Sequence, residues 1–150
     1  MKNIFDNQEN AAVIDRINKL SAATPPIWGK MNAAQMLAHC NVTFELVFTD
    51  THEKPGKLKK FLLKLFVKNI VVGEKNYSKN GRTAPQFVMA DDKDFEKEKA
   101  ALIGHITKTE ELGGAHFHNK DSHSFGVLTE QEWNNMFYKH LDHHLNQFGV

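Results

Sequence analysis

The chain has 150 residues, 41% hydrophobic and 25% charged, with a formal net charge of +1 when its nine histidines are neutral. That length and composition predict one domain over residues 1–150 with a single core, and the near-zero charge gives no global field toward nucleic acid or membrane. The lone cysteine Cys40 excludes an internal disulfide, MKNIFDNQEN lacks the apolar segment of a secretory signal, and no run of about 18 uncharged apolar residues could span a bilayer, so a soluble cytoplasmic protein without stable membrane insertion is expected.

In chain order, Asn7 to Leu20 places Ala11, Val13, Ile14, Ile17 and Leu20 mostly on one helical stripe. Pro25 and Pro26 stop it, because they lack amide donors and bias their predecessors away from helix. A second helix opens at Asn32, an N-cap residue with Gln35 in the capping-box position, and runs to about Thr49. Lys57 to Val72, KLKKFLLKLFVKNIVV, reads as a basic amphipathic helix. Gly73 to Pro85 is a loop with a turn signal at Asn80-Gly81. A long helix is predicted over Asp91 to Leu112, acidic in its first turn and stopped by Gly113-Gly114. The stretch AHFHNKDSHSFGVL reads as a polar connection. A last helix starts with Thr129 as N-cap and Glu132 as its capping-box partner, and runs to about Gln147. Strand signals are weak throughout. The expectation is an all-α bundle of four helices, with a long crossover that carries the extra basic helix.

Three of the nine histidines lie within YKHLDHHLNQFGV, at the end of the chain. With His140 at zero on a wheel of about 100° per residue, Trp133, Phe137 and Leu141 define an apolar stripe from about 20° to about 100°. His144, at about 40°, falls inside that stripe. His140 lies on its edge, and His143, at about −60°, points closer to solvent. His140 and His144 are therefore one turn apart and face inward, spaced to share an ion. In the second helix His39 shares a face with Met36, Thr43, Leu46 and Val47, within about 80°. Three neutral imidazoles suit zinc, nickel, copper or iron(II) and leave a position for water or substrate. The competing reading is interior or helix-end histidines without metal, favoured by the helix dipole when protonated. That reading accounts for His143 better than for three inward imidazoles, which need partners once buried.

The stretches MNAAQMLAHC and HLDHHLNQ resemble the DinB-like (YfiT-like) metalloenzyme superfamily. In that superfamily a helix carries a histidine seven residues after its cap, here Asn32 and His39, and the last helix carries H-x-x-x-H followed by glutamine, here His140, His144 and Gln147. Within it, IWGKMNAAQMLAHC, FGVLTEQEW and YKHLDHHLNQFGV look most like a bacterial branch of unassigned function. The resemblance implies a four-helix bundle with one long crossover. It assigns His39, His140 and His144 as ligands of a divalent metal, with zinc, nickel or iron favoured. It also implies frequent homodimers, and in some relatives metal-dependent transferase activity that uses low-molecular-weight thiols, in others hydrolase or isomerase activity, and in many no known activity. The tryptophan usual before the cap is replaced by Met31, with Trp28 slightly earlier.

Other residues carry weaker signals. Cys40, beside a candidate ligand, reads as a buried inert thiol. His116, His118 and His123 read as an exposed loop, with a lid or extra ligands as the alternative. His52 and His105 read as surface or packing residues. Gln147 points toward the ligands and Asp142 away from them, and Glu45 is a further residue that could orient an imidazole. The basic helix is expected to lay its apolar face on the bundle mouth beneath lysine stems, a membrane-surface or partner-binding role being the alternative. Three functions compete. The first is a metal-dependent transferase or hydrolase, the second a non-catalytic dimeric module for a small molecule or metal, and the third a peripheral membrane binder.

Overall fold

Helix starts are set by side chains that take up the first free amides. In the computed structural model, which describes residues 1–150, Asp6 caps α1 (Asn7–Asn18) by accepting from the amides of Gln8 and Glu9. Asn32 and Gln35 close a capping box on α2 (Ala33–Phe48). After α2 come α3 (Lys57–Phe66), α4 (Lys68–Val72) and a single 3-10 turn at Pro85–Phe87. Asp94 caps α5 (Phe95–Phe117). A small antiparallel hairpin pairs β1 (Lys120–Ser122) with β2 (Gly126–Leu128), and α6 (Glu130–Gln147) starts from the Thr129–Glu132 capping box. The protein is thus mostly helical, as the sequence predicts. No helix is long and apolar enough to cross a membrane.

One boundary differs from expectation for a local reason, α5 starting at Phe95 and not Asp91 because Asp94 is its cap, and three more differ for tertiary reasons. First, α5 does not stop at Gly113. That glycine leaves helical geometry (φ 71°, ψ 161°) and kinks the helix, which then resumes to Phe117. Phe117 is fully buried among Phe5, Trp133 and Phe137, and burying that ring favours the extra turn. Second, the polar connection after α5 is a hairpin, with Asn119 at positive φ and the Ser122 hydroxyl donating to the Gly126 carbonyl. Third, the basic helix breaks at Val67. The α4 segment turns onto α6, where the Lys139 ammonium donates to the carbonyls of Ile70, Gly73 and Lys75 and the Asn135 amide donates to that of Val72. These bonds satisfy the carbonyls at the end of a short helix. The expected burial of the basic helix's apolar face is overturned as well. No residue of α3 is buried, and its only extensive packing is on α4.

The four long helices α1, α2, α5 and α6 pack on one another around a hydrophobic cluster of 24 residues. Its centre is aromatic: Phe44 stacks on Phe137 at 5.0 Å, and Phe137 on Trp133 at 5.6 Å. Asn134, on α6, ties the N-terminal segment down by accepting from the Ile4 amide (2.7 Å) and donating to the Lys2 carbonyl (3.0 Å). The core thus holds α2 and α6 in fixed register, and those two helices carry the histidines of interest.

Candidate metal centre

His39 projects from α2 and His140 and His144 from α6, one turn apart on the latter. One ring nitrogen from each lies within 4.8 Å of the others, an arrangement that could hold a metal ion. His39 and His144 are buried; His140 keeps part of its residue surface accessible, but its imidazole is fully desolvated.

The hydrogen-bond partners settle which nitrogens face inward. His39 Nδ1 lies 2.8 Å from the Phe87 carbonyl, which can only accept, so Nδ1 carries the proton and Nε2 keeps its lone pair. His144 Nδ1 lies 2.8 Å from Gln147 Oε1. The Gln147 amide nitrogen donates to the Trp28 carbonyl at 2.7 Å, which fixes the amide orientation and makes His144 Nδ1 the donor. His140 Nδ1 lies 2.7 Å from the Thr43 hydroxyl, which can donate or accept. The Nε2 atoms of His39 and His140 lie 2.9 Å apart. A lone pair on each would repel at that distance, so either His140 Nε2 donates a proton to His39 or a cation lies between them. Two imidazoles bound at about 2.0–2.1 Å would place their nitrogens about 3.3 Å apart at a tetrahedral angle and about 2.9 Å apart at a right angle. The donor set therefore fits a divalent metal, with each distal nitrogen held by a carbonyl, an amide or a hydroxyl, as metal-ligating imidazoles usually are.

Electrostatics keep the three rings neutral. Burial lowers the His39 pKa, with the Phe87 carbonyl acting in the opposite direction and His143 lowering it further. Burial pushes His140 well below its usual value, and His144 and His39 push it further down. Burial and then His39 lower His144 to about 3. Neutral imidazole is the form that binds metal.

Sequence reasoning missed two coverings. Tyr77 and Phe87 come from the long connection between α4 and α5, and their rings meet His140 edge-on at 6.3 and 5.8 Å. Nothing in the local pattern of that loop marks them. Thr43 was legible as a neighbour of His39 on the same helical face, one turn on, but not as a partner of His140. His143 stands outside the trio, half-buried against Trp28 and Tyr77. It lines a neighbouring cavity of about 190 Å³ with Trp28, Tyr77, Lys79 and Lys139.

The remaining candidates lie elsewhere. His116 and His123 line a second cavity between the end of α2 and the hairpin. His118 sits at the end of α5, where its ring accepts from the Glu130 amide. Cys40 is buried against Met36, and burial raises its thiol pKa far above the usual range. Glu45 pairs with His52, and Asp142 with Arg16, so neither carboxylate holds a ligand imidazole. His105 is a packing residue between Phe44 and Phe48.

The structure therefore defines a helical protein with three neutral imidazoles brought together from two capped helices. The family model described as Protein of unknown function (DUF1569) matches residues 3–149, and the chain belongs to that family. Searches of curated proteins and of solved structures each found no match.

Proposed function

We propose that residues 1–150 form one DinB-like four-helix bundle with its long crossover between α2 and α5. In this reading His39, His140 and His144 hold a divalent metal (zinc, nickel or iron) for transfer or hydrolysis of a small-molecule substrate, a low-molecular-weight thiol being one candidate. The protein would act as a cytoplasmic homodimer. One observation carries this reading: three desolvated imidazoles converge from two helices, each with its Nδ1 engaged by a different partner. A metal held there supplies Lewis-acid polarisation and lowers the pKa of a bound water or thiol. The Phe87 carbonyl, Thr43 and Gln147 orient the rings, and Tyr77 and Phe87 shield them from water. The adjoining cavity is lined beside His143 by Lys79, by Asp142, which pairs with Arg16, and by Lys139, whose ammonium is held by backbone carbonyls.

Elemental analysis of untagged protein purified without chelator tests the proposal, beside a His39→Ala/His144→Ala variant. The expected result is about one equivalent of metal in the wild type and none in the variant. Wild-type protein that arrives empty and refuses added zinc, nickel and iron(II) would make the three histidines packing residues. A non-catalytic binding module is the second reading, favoured by the engagement of Glu45 and Asp142 with other partners. Turnover that His144→Ala abolishes without unfolding would decide for the enzyme.

A further inference from the structure

Helix α3 presents two different faces. With Leu58 at zero on a wheel of about 100° per residue, Phe61, Leu65, Leu62 and Phe66 fall between about −60° and about +80°. All five are exposed: Leu58 74%, Phe61 62%, Leu62 44%, Leu65 61% and Phe66 67%. Leu63 and Val67, at about 140° and about 180° on the same wheel, are the residues that pack on the core. The helix is therefore docked by its narrow back edge, and its broad apolar face is turned away from the protein.

The charges flanking that face say what it fits. Lys59 borders one edge, at about 100°, and Lys57 and Lys64 border the other, at about −100° and about −120°. None of these three makes an ion pair, whereas Lys60 pairs with Asp121 and Lys68 with Glu132. No acidic residue occurs between Lys57 and Gly73. An apolar stripe bordered on both sides by free lysines matches an interfacial helix, whose ring and leucine side chains enter the acyl boundary while lysine stems reach back to headgroups. A two-fold contact between copies of this chain through the same face would bring like lysines together. Because no helix can span a bilayer, attachment would be reversible and in the plane of the surface.

We propose that α3 is a membrane-docking helix that binds anionic phospholipid surfaces, with Leu58, Phe61, Leu62, Leu65 and Phe66 inserting and Lys57, Lys59 and Lys64 contacting phosphate headgroups. The test is co-sedimentation with phosphatidylcholine vesicles, with and without one quarter phosphatidylglycerol, in about 0.1 M salt. The wild type should pellet with the anionic vesicles and largely stay in solution with the neutral ones. Lys57→Gln/Lys59→Gln/Lys64→Gln should lower partitioning about 100-fold, since each lysine near such a surface is worth about fivefold. Leu58→Ser/Phe61→Ser/Leu65→Ser should abolish pelleting with every lysine retained. Hydrogen exchange of wild-type residues 57–66, slowed by anionic vesicles, checks the same contact without any substitution. Wild type that stays in the supernatant, or a serine variant that pellets undiminished, would overturn the proposal. So would a wild-type dimer that the serine substitutions convert to monomer without any vesicle binding, which would make this face a contact between copies.

Discussion

Thr43→Val probes the reading of the histidine cluster most directly, because it removes one oxygen and preserves side-chain shape. Thr43 is buried, with its hydroxyl 2.7 Å from His140 Nδ1. Without metal, His39 Nε2 holds a lone pair, so the 2.9 Å contact needs a proton on His140 Nε2 and the Thr43 hydroxyl donates to Nδ1. With metal, His140 Nε2 must be free, so its proton moves to Nδ1 and the Thr43 hydroxyl turns to accept it. Valine can do neither. It strands a buried nitrogen in both states, and more severely in the loaded one, where the bond is strengthened by the cation. Loss of such an outer partner typically costs about 10–100-fold in metal affinity, or about 1.4–2.7 kcal/mol. Competition against a chromophoric zinc chelator at fixed pH measures this directly, and Thr43→Ser, which keeps the hydroxyl, should stay within about threefold of wild type. Valine and serine variants that bind zinc as tightly as wild type would show that Thr43 does not hold His140 and that the tautomer argument is wrong.

Four further outcomes follow from the same geometry. Gly29 has φ +86°, and a Cβ there would collide with the Gln147 amide nitrogen, so Gly29→Ala should displace Gln147 and weaken zinc binding about tenfold without touching a ligand; unchanged affinity with intact folding would count against Gln147 as the support of His144. For the metal-free protein, His39, His140 and His144 all have folded pKa values below the ordinary value of about 6.5, so the unfolded chain binds the extra protons. Their contribution is fully present above about pH 6.5 and is lost as pH falls toward the folded values, with a slope of up to about 1.4 kcal/mol per pH unit for each histidine; a urea midpoint in chelator that does not change between about pH 7.5 and 5.5 would contradict this. Lys139→Met leaves the carbonyls of Ile70, Gly73 and Lys75 without their donor and should cost about 1–3 kcal/mol, read by urea unfolding together with faster hydrogen exchange in α4. Cys40, buried with a raised thiol pKa, should react with a thiol reagent only on global unfolding, and rapid labelling of the native protein would refute that placement.

The helices were legible because their ends are written locally. Asn32 with Gln35 and Thr129 with Glu132 announce α2 and α6 within four residues each, and both boxes form. The inward phase of His39 and His144 followed from the same periodicity. What stayed hidden depends on distant partners. The break at Val67 exists because α6 grips the end of α4 through Lys139 and Asn135, which lie more than 60 residues away. The continuation of α5 past Gly113 depends on a pocket for Phe117 made by other elements. The outward turn of α3 could not be read from an amphipathic pattern, which shows that an apolar face exists but not where it points. The Phe87 carbonyl was equally invisible, since a backbone acceptor leaves no mark on side-chain identity.

The two capping boxes also act as rulers. His39 stands seven residues past Asn32 and His140 eleven past Thr129, which is about two and three whole turns. Each imidazole is thus aimed by counting forward from a helix start. A single inserted or deleted residue between cap and histidine would turn everything beyond it by about 100° relative to the cap, so the imidazole leaves the cluster together with the core residues on the same side of the change. The same insertion in the hairpin before Thr129 would leave the count intact. Tolerance to length variation should therefore be sharply uneven along this chain, and a deletion scan reading zinc retention and folding together would trace the rulers residue by residue.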